Sequence, residues 1–259
     1  MRLVTWNVNS IRARLPRVRE LLEQHRPDVV CLQETKVAAG AFPHDALRDH
    51  GYRAVESSEG RWNGVALLAP LDVEVASVVT SLPGAPDPGE ARWVEATIQG
   101  VRVASVYVPN GRDRDHPMFA AKLRFLEAMH AHLAGLVATG PTVVAGDVNI
   151  APEDRDVWDV AQAGLTTHIT PEERERLAAL LELGVVDAYR AIEHEAVGFT
   201  WWDYRLRSFQ RGFGMRIDLA LVSEHLSVQA CTVATDFREA NAAGDKPSDH
   251  APLVVELAR

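Results

Sequence analysis

Polar side chains that could do chemistry stand at the ends of several apolar runs in this 259-residue chain. The last group, in residues 246–252, places Asp249 and His250 side by side just before the apolar run 253–257. Four further groups border apolar runs and contain Asn7, Glu34, Asp147 and Asp218. A buried strand has no packing reason to end in a carboxylate, an amide or an imidazole, because such groups need partners once they leave water. A sheet whose strand ends meet at a hydrolytic metal site explains the pattern, and we predict such a site.

Asp147 and Asn149 lie two residues apart at the end of one apolar run. Side chains at i and i+2 of a strand share a face, so both can point into one cleft. The acid could orient or deprotonate a water, and the amide could donate to a phosphate oxygen. Tyr107 and Asn110 end the neighbouring run and could contact the same group. For this pair alone, an ordinary strand-to-turn exit is an equally good interpretation, since Asp and Asn are common there.

Glu34 follows the apolar residues 29–32, so it should either face solvent or bind a hard cation. The chain has only two cysteines, and its close histidines, His130 and His132, lie in a predicted helix with no partner motif, which argues against zinc. The carboxylates and amide of Glu34, Asp249 and Asn7 instead favour Mg²⁺ or Mn²⁺.

His250 differs from the other histidines because Asp249 adjoins it and two prolines flank its loop. If Asp218 lies next to it, that carboxylate could fix the tautomer and orientation of the imidazole. Together, the five groups predict metal-assisted hydrolysis of a phosphate ester, in which the metal stabilises developing charge and an acid prepares the water.

Length and composition suit one globular domain over residues 1–259, with 47% hydrophobic residues and no apolar run long enough to cross a membrane. The N-terminus leads directly into a strand-like run, so we expect no signal peptide. Cys31 and Cys231 lie in apolar runs and are interpreted as small buried hydrophobes. We expect a cytoplasmic monomer.

A basic and aromatic segment stands out against the net charge of −9. Between Trp201 and Arg216 the only acid is Asp203. The other charged and aromatic members are Trp202, Tyr204, Arg205, Arg207, Phe209, Arg211 and Phe213. Although an acidic chain is a weak candidate for nucleic-acid binding, charge that is unevenly placed makes net charge a poor guide.

Short Val-rich runs predict nine strands, at residues 2–6, 29–33, 64–69, 73–79, 93–98, 101–107, 142–145, 217–222 and 253–257. Helices are predicted around residues 15–22, with Pro16 in the first turn, and around residues 119–137. A capping box at Thr170 starts a third helix, with Gly184 as its stop. Asn7-Val8-Asn9 and Asp147-Val148-Asn149 form a weak internal repeat. Such a repeat would suit two similar halves, each with its own sheet, packed face to face.

Sequence blocks that carry a family resemblance run from Leu3 to Val255. They are TWNVNSIR (5–12), LQETK (32–36), NGVA (63–66), EAR (90–92), YVPNG (107–111), GDVNIAP (146–152), TWWDYR (200–205), RID (216–218) and KPSDHAP (246–252). With these blocks in this order, the chain resembles the exonuclease III group of the endonuclease/exonuclease/phosphatase superfamily, the enzymes that repair abasic DNA.

The resemblance implies an α/β fold, a four-layer sandwich of two packed mixed β-sheets flanked by helices. It implies Mg²⁺, replaceable by Mn²⁺, held mainly by Glu34. The residues that it places around the metal are Asn7, Glu34, Asp147, Asn149, Asp249 and His250.

The resemblance also implies roles in catalysis. Asp147 would activate the water or transfer a proton, Asn149 and Tyr107 would contact the phosphate, and His250, oriented by Asp218, would stabilise the transition state. Which of Tyr107, Asp147 and His250 moves which proton stays open. The product would carry a 3′-hydroxyl, from incision 5′ to an abasic site or from 3′→5′ removal of nucleotides in duplex DNA.

The segment from Trp201 to Arg216 matches the DNA-facing loop of that group. Trp201 or Trp202 would wedge or stack at the lesion, which is worth on the order of 1–3 kcal/mol. Arg92, Asn110 and Arg216 are predicted DNA contacts, and binding should weaken steeply with salt.

Two other functions share the fold. One is a phosphomonoesterase that acts on a small-molecule or lipid phosphate, against which Tyr107 and the basic segment count. The other is a non-catalytic DNA-binding protein, against which the complete set of polar strand ends counts.

Overall fold

A computed structural model describes all residues 1–259. Its strands are β1 (Arg2–Asn7), β2 (Val29–Gln33), β3 (Tyr52–Ser57), β4 (Val65–Pro70), β5 (Val75–Val79), β6 (Trp93–Ile98), β7 (Val101–Tyr107), β8 (Thr142–Asp147), β9 (Val185–Asp187), β10 (Trp201–Trp202), β11 (Gly214–Met215), β12 (Asp218–Ser223), β13 (Ser227–Val233) and β14 (Leu253–Ala258). Its α-helices are α1 (Ile11–His25), α2 (His44–Arg48), α3 (Pro117–Thr139), α4 (Val160–Ala163), α5 (Pro171–Leu181), α6 (Ala188–Ile192) and α7 (Ser208–Arg211).

Two six-stranded mixed sheets form the centre, in the orders β13-β14-β1-β2-β4-β3 and β5-β6-β7-β8-β12-β9. Alternation along each strand divides the core into three layers. In β1, for example, Leu3 faces the other sheet across the central layer, whereas Val4 packs against α1. In β8, Val143 faces the central layer and Val144 packs against the helices α3 and α5. The four-layer α/β sandwich predicted above is therefore confirmed.

The strand directions bring the polar strand ends to one edge. Within each sheet one parallel pair ends together, with Asn7 opposite Gln33 and Tyr107 opposite Asp147. Strand β12 runs antiparallel to β8 and starts at Asp218, which lies opposite Asp147. Likewise β14 is antiparallel to β1, so the loop before Leu253 reaches the same edge. Since the carboxyl ends of parallel strands and the amino ends of antiparallel neighbours coincide, polar residues that are far apart in sequence meet there.

All nine predicted strands are present, with ends within two residues of the prediction. Five strands were missed. Of these, β3 and β13 lie at sheet edges, where half-exposed positions weaken the apolar signal, and the other three have only two or three residues each. Both cysteines are buried and free, as predicted.

The predicted helices are present, with two corrections at their ends. Helix α1 begins earlier than expected because Ser10 accepts a hydrogen bond from the Ala13 N–H, so Pro16 lies in the second turn rather than the first. Helix α5 has the predicted capping box between Thr170 and Glu173 but ends at Leu181, before Gly184. No helix is both long and apolar enough to span a bilayer.

Candidate active site

Asn7 joins the two sheets at the convergent edge. Its Nδ2 donates to Glu34 Oε1 at 2.8 Å and to Asp147 Oδ2 at 2.9 Å, while its Oδ1 accepts from the Asn9 backbone N–H at 3.0 Å. Asn7 is fully buried at the end of β1. In this arrangement the amide presents its nitrogen to both carboxylates. That differs from the predicted role of Asn7 as an oxygen ligand.

Glu34 leaves the end of β2 with a left-handed backbone conformation, φ 51°, which turns its side chain into the cleft. Its Oε2 lies 2.5 Å from Lys36 Nζ, and that ammonium also donates to Asn9 Oδ1 at 2.6 Å. The sequence left two interpretations of Glu34 open, solvent exposure and cation binding. In the structure the Glu34 carboxylate is half-buried between Asn7 and Lys36, in a position that allows cation binding.

Asp147 ends β8 and is 2% exposed. The glycine before it is required by close packing, because a Cβ on Gly146 would lie 1.9 Å from the Val106 carbonyl oxygen. Asp147 Oδ1 accepts from the Asn149 N–H at 3.0 Å. Burial raises the pKa of Asp147 to about 7, against a lowering effect of His250 and with Asp218 and Glu34 adding to the increase. A buried carboxylate with this pKa can take up a proton near neutral pH.

His250 and Asp218 form the predicted pair, with His250 Nδ1 2.8 Å from Asp218 Oδ2. This contact leaves Nε2 directed at Asp147 Oδ2, 3.8 Å away. Burial alone would lower the pKa of His250, but Asp218, then Asp147 and Asp249, raise it to about 10. The imidazole is therefore held as a cation beside Asp147. Thr200 Oγ1 accepts from the Asp218 N–H at 3.1 Å and fixes the start of β12.

Tyr107 ends β7, opposite Asp147. Burial, reinforced by Glu34 and Asp147, raises the pKa of Tyr107 well above its usual range, so the phenol keeps its proton. The Arg92 guanidinium carbon lies 4.8 Å from the centre of the Tyr107 ring, and Arg92 Nε donates to Glu90 Oε2 at 2.6 Å. Together with Asn110, Tyr107 and Arg92 line a cleft of about 580 Å³ beside the carboxylates.

Three of the predicted metal residues form a cluster that fits a cation. Oxygen atoms of Glu34 and Asp147 and a nitrogen of His250 all lie within 4.8 Å of one another. Two carboxylates suit Mg²⁺ or Mn²⁺, which prefer oxygen ligands. The donor set therefore fits the predicted kind of ion, with Glu34 as the main candidate ligand.

The other predicted ligands are committed elsewhere. Asp249 Oδ1 accepts from Asn9 Nδ2 at 3.0 Å and from Ser248 Oγ at 3.3 Å, and its Oδ2 accepts from Trp201 Nε1 at 3.2 Å. Asn149 Oδ1 accepts from Asn110 Nδ2 at 3.2 Å, and Asn149 Nδ2 donates to the Val108 carbonyl at 2.9 Å. In this structure both side chains border the cluster without entering it.

The basic and aromatic segment divides into an exposed and a buried part. Trp202 is 5% exposed and packs edge-on against Phe199 and Phe209, so it is a core residue rather than a surface contact. Trp201 is only half-buried and lies beside the cluster through its bond to Asp249. The prediction that Trp202 could stack at a lesion is therefore wrong, because its side chain is buried in the core.

Arg216 also contradicts its prediction as a DNA contact. Its side chain is fully buried. It pairs with both oxygens of Asp156, at 2.8 and 3.0 Å, and with Asp187 Oδ2 at 2.6 Å. A guanidinium with two carboxylate partners and no solvent contact ties the segments of Asp156 and Asp187 to β11 and β12. It cannot reach a ligand without breaking these bonds.

Sequence reasoning missed a second buried group behind the cleft. Lys122 on α3 is fully buried and pairs with Glu173 on α5. His168 lies beside them, with Nε2 3.4 Å from Asn110 Nδ2. Burial, then Lys122, lowers the pKa of His168 to about 3, so the ring is neutral. In the sequence, Lys122 is only a lysine on the apolar side of a predicted helix, and Glu173 is only the glutamate of a capping box. Neither feature predicts that the two side chains pair with each other.

Comparison with known proteins identifies the family of this chain. Residues 4–250 match the Endonuclease/Exonuclease/phosphatase family. Because the match spans nearly the whole chain, the protein belongs to this family, as predicted.

Individual relatives narrow the comparison. The chain is 32% identical to exodeoxyribonuclease III of Haemophilus influenzae, over 99% of this chain and all of that protein. Among solved structures, a 3′-5′ exonuclease, NExo, from Neisseria meningitidis is 37% identical with a TM-score of 0.94. An AP endonuclease from Archaeoglobus fulgidus is 34% identical with a TM-score of 0.93. Each of the two structural matches covers both chains completely.

Proposed function

We propose that the protein is a Mg²⁺-dependent DNA repair nuclease of the exodeoxyribonuclease III type. It would hydrolyse phosphodiesters 5′ to abasic sites and remove nucleotides 3′→5′ from duplex DNA, leaving 3′-hydroxyls. The observation that carries the proposal is that Glu34, Asp147 and the Asp218-oriented His250 bring their polar atoms within 4.8 Å of one another. The full-length similarity to an exodeoxyribonuclease III supports the choice of substrate.

The residues divide the chemistry among themselves. Asp147, buried and with a raised pKa, takes the proton of the attacking water. His250, kept protonated by Asp218, donates through Nε2 to a phosphate oxygen on which charge develops. Tyr107 stays protonated and offers its hydroxyl to the same phosphate. Mg²⁺, held mainly by Glu34, would supply further charge stabilisation at the phosphate and the leaving oxygen.

DNA would reach the cleft across the exposed part of the basic segment. Arg205, Arg207 and Arg211 are exposed, and Leu206 between them is 77% exposed. Arg92 and Asn110 line the cleft on the other side of the carboxylates. The acidic remainder of the surface contributes little attraction, so binding should depend on these few contacts and weaken steeply with salt. The single-domain organisation and the monomeric state stay predictions.

Cleavage assays with Mg²⁺ and with EDTA test the proposal. One substrate is a duplex with a single stable abasic-site analogue, labelled at the 5′ end, and the other is its undamaged twin. We expect a single cut at the analogue and a ladder from the 3′ end of the twin, both abolished by EDTA. The two substrates are needed because the structural relatives bear the names of both activities.

Each outcome has a defined meaning. Laddering without the single cut would keep the exonuclease and remove the abasic incision from the proposal. If folded protein cleaves neither duplex but hydrolyses a soluble phosphomonoester, the phosphomonoesterase interpretation replaces the nuclease.

A second test separates the two neighbouring tryptophans. We expect Trp201→Ala to weaken binding to abasic duplex by about 1–3 kcal/mol, since a stacking surface is lost. Trp202→Ala should instead lower the free energy of unfolding by about 3–5 kcal/mol, because a buried aromatic ring is removed. Fluorescence anisotropy, in an Asp147→Asn background to prevent cleavage, measures the first effect, and urea denaturation measures the second. The reverse pattern would contradict the assignment of Trp201 to the DNA side.

A further inference from the structure

Lys122 is a lysine with no access to solvent behind the proposed catalytic cleft. Its Nζ donates to the backbone carbonyl of Asn149 at 2.6 Å and to that of Asn110 at 3.3 Å. It also bonds Glu173 and lies 3.5 Å from Thr167 Oγ1. The ammonium therefore contacts, in one place, the turn that follows β7 and the turn that follows β8.

Glu173 neutralises the charge of Lys122, and both of its carboxylate oxygens accept hydrogen bonds. One oxygen accepts from Lys122, from Thr167 Oγ1 at 2.7 Å and from the His168 N–H at 2.9 Å. The other accepts from the Thr170 N–H at 3.0 Å and from its hydroxyl at 2.8 Å. The pair is thus anchored to helix α5 and to the loop before it.

The two turns that Lys122 holds carry the cleft amides. Asn110 and Asn149 bond each other through their side chains at 3.2 Å, and Asn149 has the left-handed φ of 55°. Gly111, which follows Asn110 and has a φ of 88°, packs closely against Lys122. A Cβ at this position would lie 3.2 Å from Lys122 Cδ and 2.9 Å from Thr167 Oγ1. Asn149 in turn donates its backbone N–H to Asp147 Oδ1. The chain of contacts runs without a break from Lys122 to the proposed base.

A purely stabilising role accounts poorly for this arrangement. Desolvating an ammonium and a carboxylate costs several kcal/mol per ion, and apolar replacements of buried pairs are often neutral or stabilising. An apolar pair could fill the same space, but it could not donate hydrogen bonds to the backbone carbonyls of two separate turns. Those two hydrogen bonds are what an apolar replacement would lack.

We propose that Lys122 is a positioning residue for phosphodiester hydrolysis, fixing the turns of Asn110 and Asn149 so that Asp147 meets the phosphate correctly. The inference rests on the proposed nuclease function. Lys122 touches neither the phosphate nor the metal cluster, so its effect passes through Asn149. Misplacement of reacting groups by about 1 Å can cost about 100-fold in rate.

The test uses Lys122→Met together with Glu173→Gln, so that no unpaired charge is left buried. We expect kcat/KM on abasic or 3′-ended duplex to fall by about 100-fold at a temperature where the variant is folded. A role confined to stability would leave the kcat/KM of the folded variant within about twofold of the unmodified enzyme.

Two controls keep the proposal falsifiable. Glu95→Gln disrupts another buried ion pair, that between Glu95 on β6 and Arg102 on β7, and should reduce stability while kcat/KM stays within about twofold. Lys122→Gln with Glu173→Gln keeps an N–H donor on a side chain one bond shorter than lysine, so it should retain more activity than Lys122→Met with Glu173→Gln at equal stability. Equal activity of these two double variants, or a kcat/KM of the folded Lys122→Met variant with Glu173→Gln within about twofold of the unmodified enzyme, would overturn the proposal. Absence of any DNA cleavage by the unmodified protein would instead refute the nuclease function.

Discussion

Replacing Asp147 with Asn should lower kcat by about 10²- to 10⁴-fold while the protein stays folded. The substitution keeps the shape of the side chain and removes its ability to accept a proton. The new amide can still accept one of the hydrogen bonds now made by Asn7 and by the Asn149 N–H. The stability cost should be about 1–3 kcal/mol, the usual penalty for one mismatched buried polar contact.

Single-turnover cleavage of the 5′-labelled duplex with saturating Mg²⁺ measures this prediction, because it isolates the chemical step from product release. Asp154→Asn is the matched control, since the Asp154 side chain is 75% exposed and points away from the cluster in an ion pair with Arg174. Activity of Asp147→Asn within about threefold of the unmodified enzyme would remove Asp147 from the role of base. His250 or Tyr107 would then be the remaining candidates for that proton transfer.

Replacing Arg216 with Met should lower the free energy of unfolding by about 3–5 kcal/mol. The change removes the cation that neutralises Asp156, which is fully buried, and Asp187, whose side chain is 10% exposed. Arg190 still reaches Asp156 Oδ1 at 2.8 Å, so Asp187 is the carboxylate left with less compensation.

Urea denaturation followed by circular dichroism measures the loss. Arg205→Met is the control: its side chain is 86% exposed, so stability should change by less than about 0.5 kcal/mol while DNA binding weakens. Adding Asp187→Asn to Arg216→Met should recover part of the lost stability, since one unpaired charge is removed. If Arg216→Met kept its stability and lost only DNA affinity, the original expectation of a DNA contact would be restored.

Local sequence pattern was sufficient for the parts of the fold that depend on burial. Strands such as residues 29–33 and 93–98 were predicted to the residue, because nearly all of their side chains are buried on both faces. The capping box at Thr170 was equally local. The pairing of Asp218 with His250 was also anticipated, since both stand at strand ends, one in each of the two packed sheets, that meet at one edge.

The partners of buried charges were decided only by the tertiary structure. Arg216 lies 60 residues from Asp156, and Lys122 lies 51 residues from Glu173, so no periodicity links them. In the sequence, Arg216 looked like a DNA contact because it closes a basic segment, and Lys122 looked like an ordinary helix residue. Adjacent Trp201 and Trp202 are also indistinguishable by type, yet a strand turns them to opposite faces, one beside Asp249 and one into the core. Which strands and helices are buried can be predicted from the local pattern of apolar residues. Which opposite charge neutralises a buried charge depends instead on the distant segments that the fold brings together.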